Sequence, residues 1–142
     1  MIRIATLDDL GSILSLEQTF GAEAFSRRSL RHFVKQGLTL VMEQNCNIIG
    51  YSIVMKRKGS NIARLYSITI SEAHRGRGYS KQLLSACEDM ARSWDMGYMR
   101  LEVAENNLVA RSLYSRAGYY SIGQTADYYD SGEGCFRLET EL

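Results

Sequence analysis

The clearest pattern in the chain lies at residues 83–94. Leu83, Leu84, Cys87, Met90, Ala91 and Trp94 recur at i, i+1, i+4, i+7, i+8 and i+11, one face of a helix with about 3.6 residues per turn. Three more helices are predicted. Thr6 caps the first, with Asp8 and Asp9 in its opening turn, where negative charge suits the helix dipole. Leu10, Ile13, Leu14 and Glu17 share one face of that helix, and only Glu17 is out of character. Ser26 caps a second, with Leu30, Phe33 and Val34 inward and Gly37 at its end. The last covers residues 107–117 and stops at Gly118. Strands are expected at residues 2–5, 38–43, 48–55, 63–70, 99–104, 119–125 and 135–141, where apolar and β-branched residues run or alternate between turn-forming stretches.

The order is β α α β β β α β α β β. Strands joined by short turns pair antiparallel, while the β–α–β unit at residues 63–104 needs a crossover. The expected fold is therefore α/β, a mixed sheet covered by helices. No linker, repeat or low-complexity tract breaks the chain, so one domain over residues 1–142 is expected.

Composition narrows the classes. The chain has 142 residues, 45% hydrophobic and 23% charged, which fits a globular protein and excludes a disordered or collagen-like one. It contains no proline. With 17 Lys+Arg against 16 Asp+Glu, the net charge of +1 offers no basic excess for nucleic acid. Lys56-Arg57-Lys58 is too short a cluster to change that. No stretch approaches the ~18 apolar residues of a membrane helix, and residues 1–10 lack a secretory core. The three cysteines, Cys46, Cys87 and Cys135, are far apart and form no CxxC pair. Free thiols in a cytoplasmic protein are expected. With only His32 and His74 beside them, no metal site is expected.

Two segments carry candidate chemistry. The first is His74-Arg75-Gly76-Arg77-Gly78-Tyr79-Ser80-Lys81, between a strand and the clearest helix. A glycine-rich turn opening a helix exposes backbone N–H groups beside the positive end of the dipole, which suits phosphate. Arg75, Arg77 and Lys81 add charge. The spacing is neither that of a Walker A loop nor that of the dinucleotide fingerprint, and such clusters also occur in plain exposed loops. The second segment is Leu101-Glu102-Val103-Ala104-Glu105-Asn106-Asn107, running into a helix with Tyr114 two turns along. Glu102 sits near a strand end, where α/β sheets bind ligands. Each residue also has a plain structural reading. Glu102 pairs with an Arg on a neighbouring strand, Asn107 is a cap, and Tyr114 packs its ring.

Together these segments resemble the GNAT superfamily of N-acetyltransferases. The family's acyl-CoA signature, Q/R-x-x-G-x-G/A, reads here Arg75-Gly76-Arg77-Gly78-Tyr79-Ser80, with Ser in the last position. The stretch from Leu101-Glu102-Val103 through Asn107 and Leu113-Tyr114 to Ala117-Gly118-Tyr119 is similar to the matching strand and helix, most closely in the branch that acetylates the N-terminal amine of ribosomal proteins. The resemblance implies a mostly antiparallel twisted sheet of six to seven strands with about four helices, splayed between two parallel central strands. It implies acetyl-CoA as acyl donor, its pantetheine arm pairing with the backbone of Ile68, Thr69 and Ile70. Its pyrophosphate falls to the amides of Arg75, Gly76, Arg77, Gly78, Tyr79, Ser80 and Lys81. Asn107 then contacts the cofactor arm and Tyr114 approaches its sulfur.

The chemistry of amide formation assigns roles. An amine must lose a proton before it attacks a thioester, and Glu102 is the candidate base, acting directly or through water. The oxyanion wants backbone N–H donors such as that of Ile68. The leaving thiolate wants a proton, which the Tyr114 hydroxyl can give. In the ribosomal branch the matching Glu and Tyr hold these roles.

For the acceptor, Phe25 alone stands where that branch carries an aromatic-Pro-Trp run, and Tyr128 and Tyr129 resemble its paired tyrosines. Residues 127–142 hold Asp127, Asp130, Glu133, Glu139 and Glu141 against Arg137, an excess that suits a cationic amine. A protein or peptide amine, notably an N-terminus, ranks first and a small amine or polyamine second. A non-catalytic acyl-CoA-binding module is the other class. The expected state is a monomer or homodimer, without nucleic-acid or membrane partners.

Overall fold

The computed structural model describes residues 1–18, 25–126 and 132–142. Seven strands form one sheet in the order β1-β2-β3-β4-β5-β7-β6. They are β1 (Ile2–Ile4), β2 (Thr39–Gln44), β3 (Asn47–Lys56), β4 (Ile62–Ile70), β5 (Tyr98–Ala104), β6 (Tyr120–Thr125) and β7 (Cys135–Glu141). The helices are α1 (Leu10–Glu17), α2 (Arg27–Lys35), α3 (Tyr79–Ser93) and α4 (Leu108–Arg116). The mixed α/β sheet and its element order match the sequence reading. Strands β4 and β5 pair in parallel, whereas β1–β2, β2–β3, β5–β7 and β6–β7 pair antiparallel. The chain divides into two compact units, Met1–Met55 with Ser67–Cys87, and Lys56–Tyr66 with Glu88–Leu142.

In the first unit, α1 and α2 close over β2 and β3. Ile13, Leu30, Phe33, Val34, Val41, Tyr51 and Ile53 form its buried core. Each such apolar side chain contributes roughly 1.5–3 kcal/mol by leaving water. A single 3₁₀ turn precedes α1 rather than a direct start at Thr6. The Asp9 carboxylate reaches back to the Thr6 N–H at 2.8 Å and forms a two-bond pair with Arg3 at 2.7 and 2.9 Å. The Arg3 guanidinium thus holds the Asp9 carboxyl below the usual carboxylate range. Ser26 caps α2 through the Ser29 N–H, and Gly37 ends it with φ 73°, as expected. The β2–β3 hairpin turns on Asn45 and Cys46, with φ 52° and 65°; this left-handed pair matches strand twist even with cysteine in place of glycine.

In the second unit, Met99, Leu101 and Val103 are buried on one side of β5, while Tyr98, Arg100 and Glu102 are half-buried on the other. This is the alternation read from the sequence. Trp94 closes α3 at its C-terminal side, with the Lys56 ammonium 4.4 Å from its ring. No described helix is long and apolar enough to cross a membrane.

Candidate active site

In the first unit, β4 ends at Ile70 and a short turn, Glu72–His74, leads into the glycine-rich loop. Gly76 and Gly78 have φ 77° and 81°, a region where a side chain is strained. A Cβ at either position would meet nothing within 4 Å, so the loop backbone opens onto free space. Helix α3 begins at Tyr79, so the amides of Tyr79, Ser80 and Lys81 belong to its first turn, where N–H groups lack helical partners. Arg75, Arg77 and Lys81 are exposed. Arg75 turns partly inward, and its Nε–H donates to the Ile70 carbonyl at 3.0 Å. The Tyr79 hydroxyl accepts from Gln44 at 3.2 Å, and Ser71 and His74 bond at 2.6 Å. Gly50 on β3 leaves room beside β4, since a Cβ there would lie 2.9 Å from the Thr69 carbonyl.

The residues expected to pair with a cofactor arm, Ile68, Thr69 and Ile70, thus lead directly into this loop. The Ile70 carbonyl is already taken by Arg75. The Thr69 hydroxyl is buried and has no hydrogen-bond partner. First-turn amides without helical partners and a buried, unpartnered hydroxyl are a donor set that fits a polyanionic, amide-bearing cofactor. Phe25, elsewhere in this unit, meets Phe33 edge-on at 5.7 Å and packs against the core. Its N–H donates to the Glu17 carboxylate at 2.7 Å. Glu17 is only 2% exposed and its Oε1 is unpartnered. Burial pushes its carboxyl above the usual range, against the smaller opposing effect of the Phe25 N–H. The odd residue of the α1 face is therefore a buried acid tied to the start of α2.

In the second unit, Glu102 stands on the half-buried side of β5. Its Oε1 accepts from the Arg64 guanidinium on β4 at 2.5 Å. The structure thus adopts the plain alternative of the sequence reading, an Arg on the neighbouring strand. Arg64 carries little sequence signal of its own. Its signal was its place two residues before Tyr66 on a strand expected to run parallel to β5. Asn107 is the cap, accepting from the Ala110 N–H at 3.2 Å. Tyr114 is buried, its ring edge-on to Tyr119 at 5.6 Å. Arg111 braces the segment, donating to the Glu105 carbonyl at 2.8 Å and lying 4.5 Å from the Phe136 ring.

The acidic tail is partly committed to the fold. Glu133 accepts from the Asn106 N–H at 2.9 Å, and Glu139 binds Arg100 at 2.8 Å. Asp127, Tyr128, Tyr129 and Asp130 lie outside the described residues. Cys87 and Cys135 are buried, and burial pushes the Cys135 thiol up, the wrong direction for a nucleophile. Among the described residues, no group of three or more His, Cys, Asp or Glu could hold a metal ion.

Residues 7–119 match the model of the Acetyltransferase (GNAT) family. The chain is 26% identical over 137 residues to the [ribosomal protein bS18]-alanine N-acetyltransferase of Haemophilus ducreyi, covering 94% of this chain and 92% of that protein. Among solved structures, the ribosomal-protein-S18-alanine N-acetyltransferase of Escherichia coli superposes with a TM-score of 0.88 at 22% identity, over 100% of this chain and 93% of the other. The acetyltransferase yncA of Salmonella typhimurium, solved with its cofactor acetyl-CoA, superposes with a TM-score of 0.87 at 19% identity, over 100% and 93%. With these matches spanning nearly the whole chain, the protein belongs to the GNAT acetyltransferase family and is an acetyl-CoA-dependent N-acetyltransferase.

Proposed function

We propose that the protein transfers the acetyl group of acetyl-CoA to the N-terminal amine of a protein or peptide, with Glu102 as base and Tyr114 as acid. The observation that carries the cofactor half is the loop of left-handed glycines, opening on free space at the start of α3. Its amides from Arg75 to Lys81 hold the pyrophosphate, and Ile68 and Thr69 meet the pantetheine arm. Acetyl-CoA, when bound, supplies an acyl group on a thioester. Glu102 would take the proton of the incoming amine, and the Ile68 N–H would serve as a donor to the oxyanion. The Tyr114 hydroxyl gives a proton to the departing sulfur. Asn107 keeps α4 in register for Tyr114 as its cap.

The peptide acceptor rests on the relative in Haemophilus ducreyi, whose name specifies alanine N-acetylation of a ribosomal protein. Phe25, held by Glu17 and Phe33, is the aromatic available to meet such a peptide. The acidic residues of the tail support a cationic acceptor less than their number suggests, because Glu133 and Glu139 are engaged internally.

The test is a side-by-side acceptor screen with free-thiol readout, using peptide N-termini, internal lysines, polyamines and aminoglycosides. Thiol release with peptide N-termini is the expected result. Release with polyamines alone moves the acceptor to the small amines. A melting temperature raised by acetyl-CoA, with no thiol release from any amine, identifies a binding module instead.

A further inference from the structure

We propose that Arg64 is a positioning residue for acetyl transfer, holding the Glu102 carboxylate in place through their ion pair. The inference rests on Glu102 as the proton acceptor. Residues 62–64 of β4 pair in parallel with residues 98–100 of β5, placing Arg64 opposite Arg100. Glu102 lies one pleat further along the same face, so Arg64 reaches it diagonally. The guanidinium is held from two sides, by Glu102 Oε1 at 2.5 Å and by the Tyr66 ring at 5.4 Å from its centroid.

Stability does not account for this arrangement. The Arg64 side chain is 46% exposed and that of Glu102 17%. Ion pairs near the surface contribute little net stability, and ordering an arginine costs much of its rotamer freedom. What the pair achieves is a fixed carboxylate. Without it, Glu102 is free to turn about its own side-chain bonds, and misplacement of a base by an ångström is costly in rate.

The other charges near Glu102 do not take over this role. Arg100, on the same strand, is bound to Glu139 at 2.8 and 3.2 Å. Arg137 is the register partner of Glu102 on β7. It lies beside Cys135, whose thiol feels Glu102, Arg137 and Glu105 together. Arg64 is the cation that hydrogen-bonds Glu102 across the parallel strand pair.

The experiment is a double-mutant cycle with steady-state kinetics, using acetyl-CoA and the best acceptor from the screen. R64Q lowers kcat by about tenfold or more, as expected for loss of positioning, and leaves the KM for acetyl-CoA within about twofold. R64K recovers part of the loss. In the E102Q background, R64Q costs nothing further, since both residues act through one carboxylate. The proposal is overturned if R64Q and wild type superimpose in kcat, or if R64Q is as harmful in E102Q as in wild type. Should R64Q melt early, R64K and the cycle are read at a temperature where all five proteins are folded. An E102Q protein with wild-type turnover removes the base assignment itself, a result distinct from a crippled E102Q with an unaffected R64Q.

Discussion

The glycine loop before α3 and the segment from β5 into α4 are candidate sites of opposite kinds. The loop works through its backbone. Gly76 and Gly78 face open space and the first-turn amides of α3 await an acceptor, while Arg77 and Lys81 are exposed around them. The β5–α4 segment offers side chains, and each already has an internal partner. Glu102 holds Arg64, Asn107 caps α4, and the Tyr114 ring packs on Tyr119. A site that binds a polyanion can be left open, because water solvates its amides until the ligand arrives. A site that moves protons must hold its groups in advance, because geometry decides its rate.

Substitutions in the two regions are therefore expected to fail differently. The largest effect is expected for E102Q, which lowers kcat by about 10²–10⁴ while the affinity for acetyl-CoA, measured by titration, stays near wild type. Equal losses in rate and affinity would erase the division of labour. Y114F is expected next, again in kcat before affinity. At Gly78 the reverse holds. G78A forces a side chain into a left-handed position at roughly 1–2 kcal/mol, and acetyl-CoA KM rises by about tenfold with a smaller change in kcat.

Asn107 sharpens the comparison with a smaller effect. N107A loses a cap worth about 1 kcal/mol and lowers the melting temperature. N107S restores the cap. If acetyl-CoA KM recovers along with stability, Asn107 serves the fold alone. If KM stays high, its amide also meets the cofactor.

The smallest effect is expected at Glu17, far from either segment in sequence. Burial raises its folded pKa above the unfolded value, so the folded protein binds the proton more tightly than the unfolded chain. Stability therefore falls as pH rises from the unfolded value towards the folded one, and the full penalty persists above both. E17Q keeps an acceptor for the Phe25 N–H and removes the charge. Its melting temperature is expected to exceed wild type at pH 8 and to converge with it below pH 4. A constant offset across that range would show that charge burial is not the cause. Asp9 behaves in the opposite sense. Its carboxyl is held low by Arg3, so the stability it contributes is present above the unfolded value and is lost as pH falls through the folded one.

Much of this was legible in the chain. The period of Leu83, Leu84 and Cys87 placed the buried face of α3, and alternation along β5 put Glu102 opposite Leu101 and Val103. Ser26, Asn107 and Gly37 marked helix ends as expected, because caps and left-handed stops are local chemistry. Boundaries moved by a residue or two where tertiary hydrogen bonds decide them, as at Ala5, which leaves β1 but still donates its N–H to Thr39. The hairpin at Asn45 and Cys46 was less legible, because nothing in a cysteine signals a positive φ. Which residues become partners was not legible, although the chain offered Glu102 an arginine on a neighbouring strand. Arg64 with Glu102, Glu17 with Phe25 and Glu139 with Arg100 are set by strand register and chain return.

The sequence by itself determined the elements, their order, the phosphate-suited loop and the family. These depend on periodicity, caps and glycines, which act over a few residues. Only the tertiary structure decided what each charge does. It bound Glu102 to Arg64, buried Glu17, and spent part of the acidic tail on internal bonds. A charge is defined by the partner within a few ångströms, and folding brings that partner from tens of residues away.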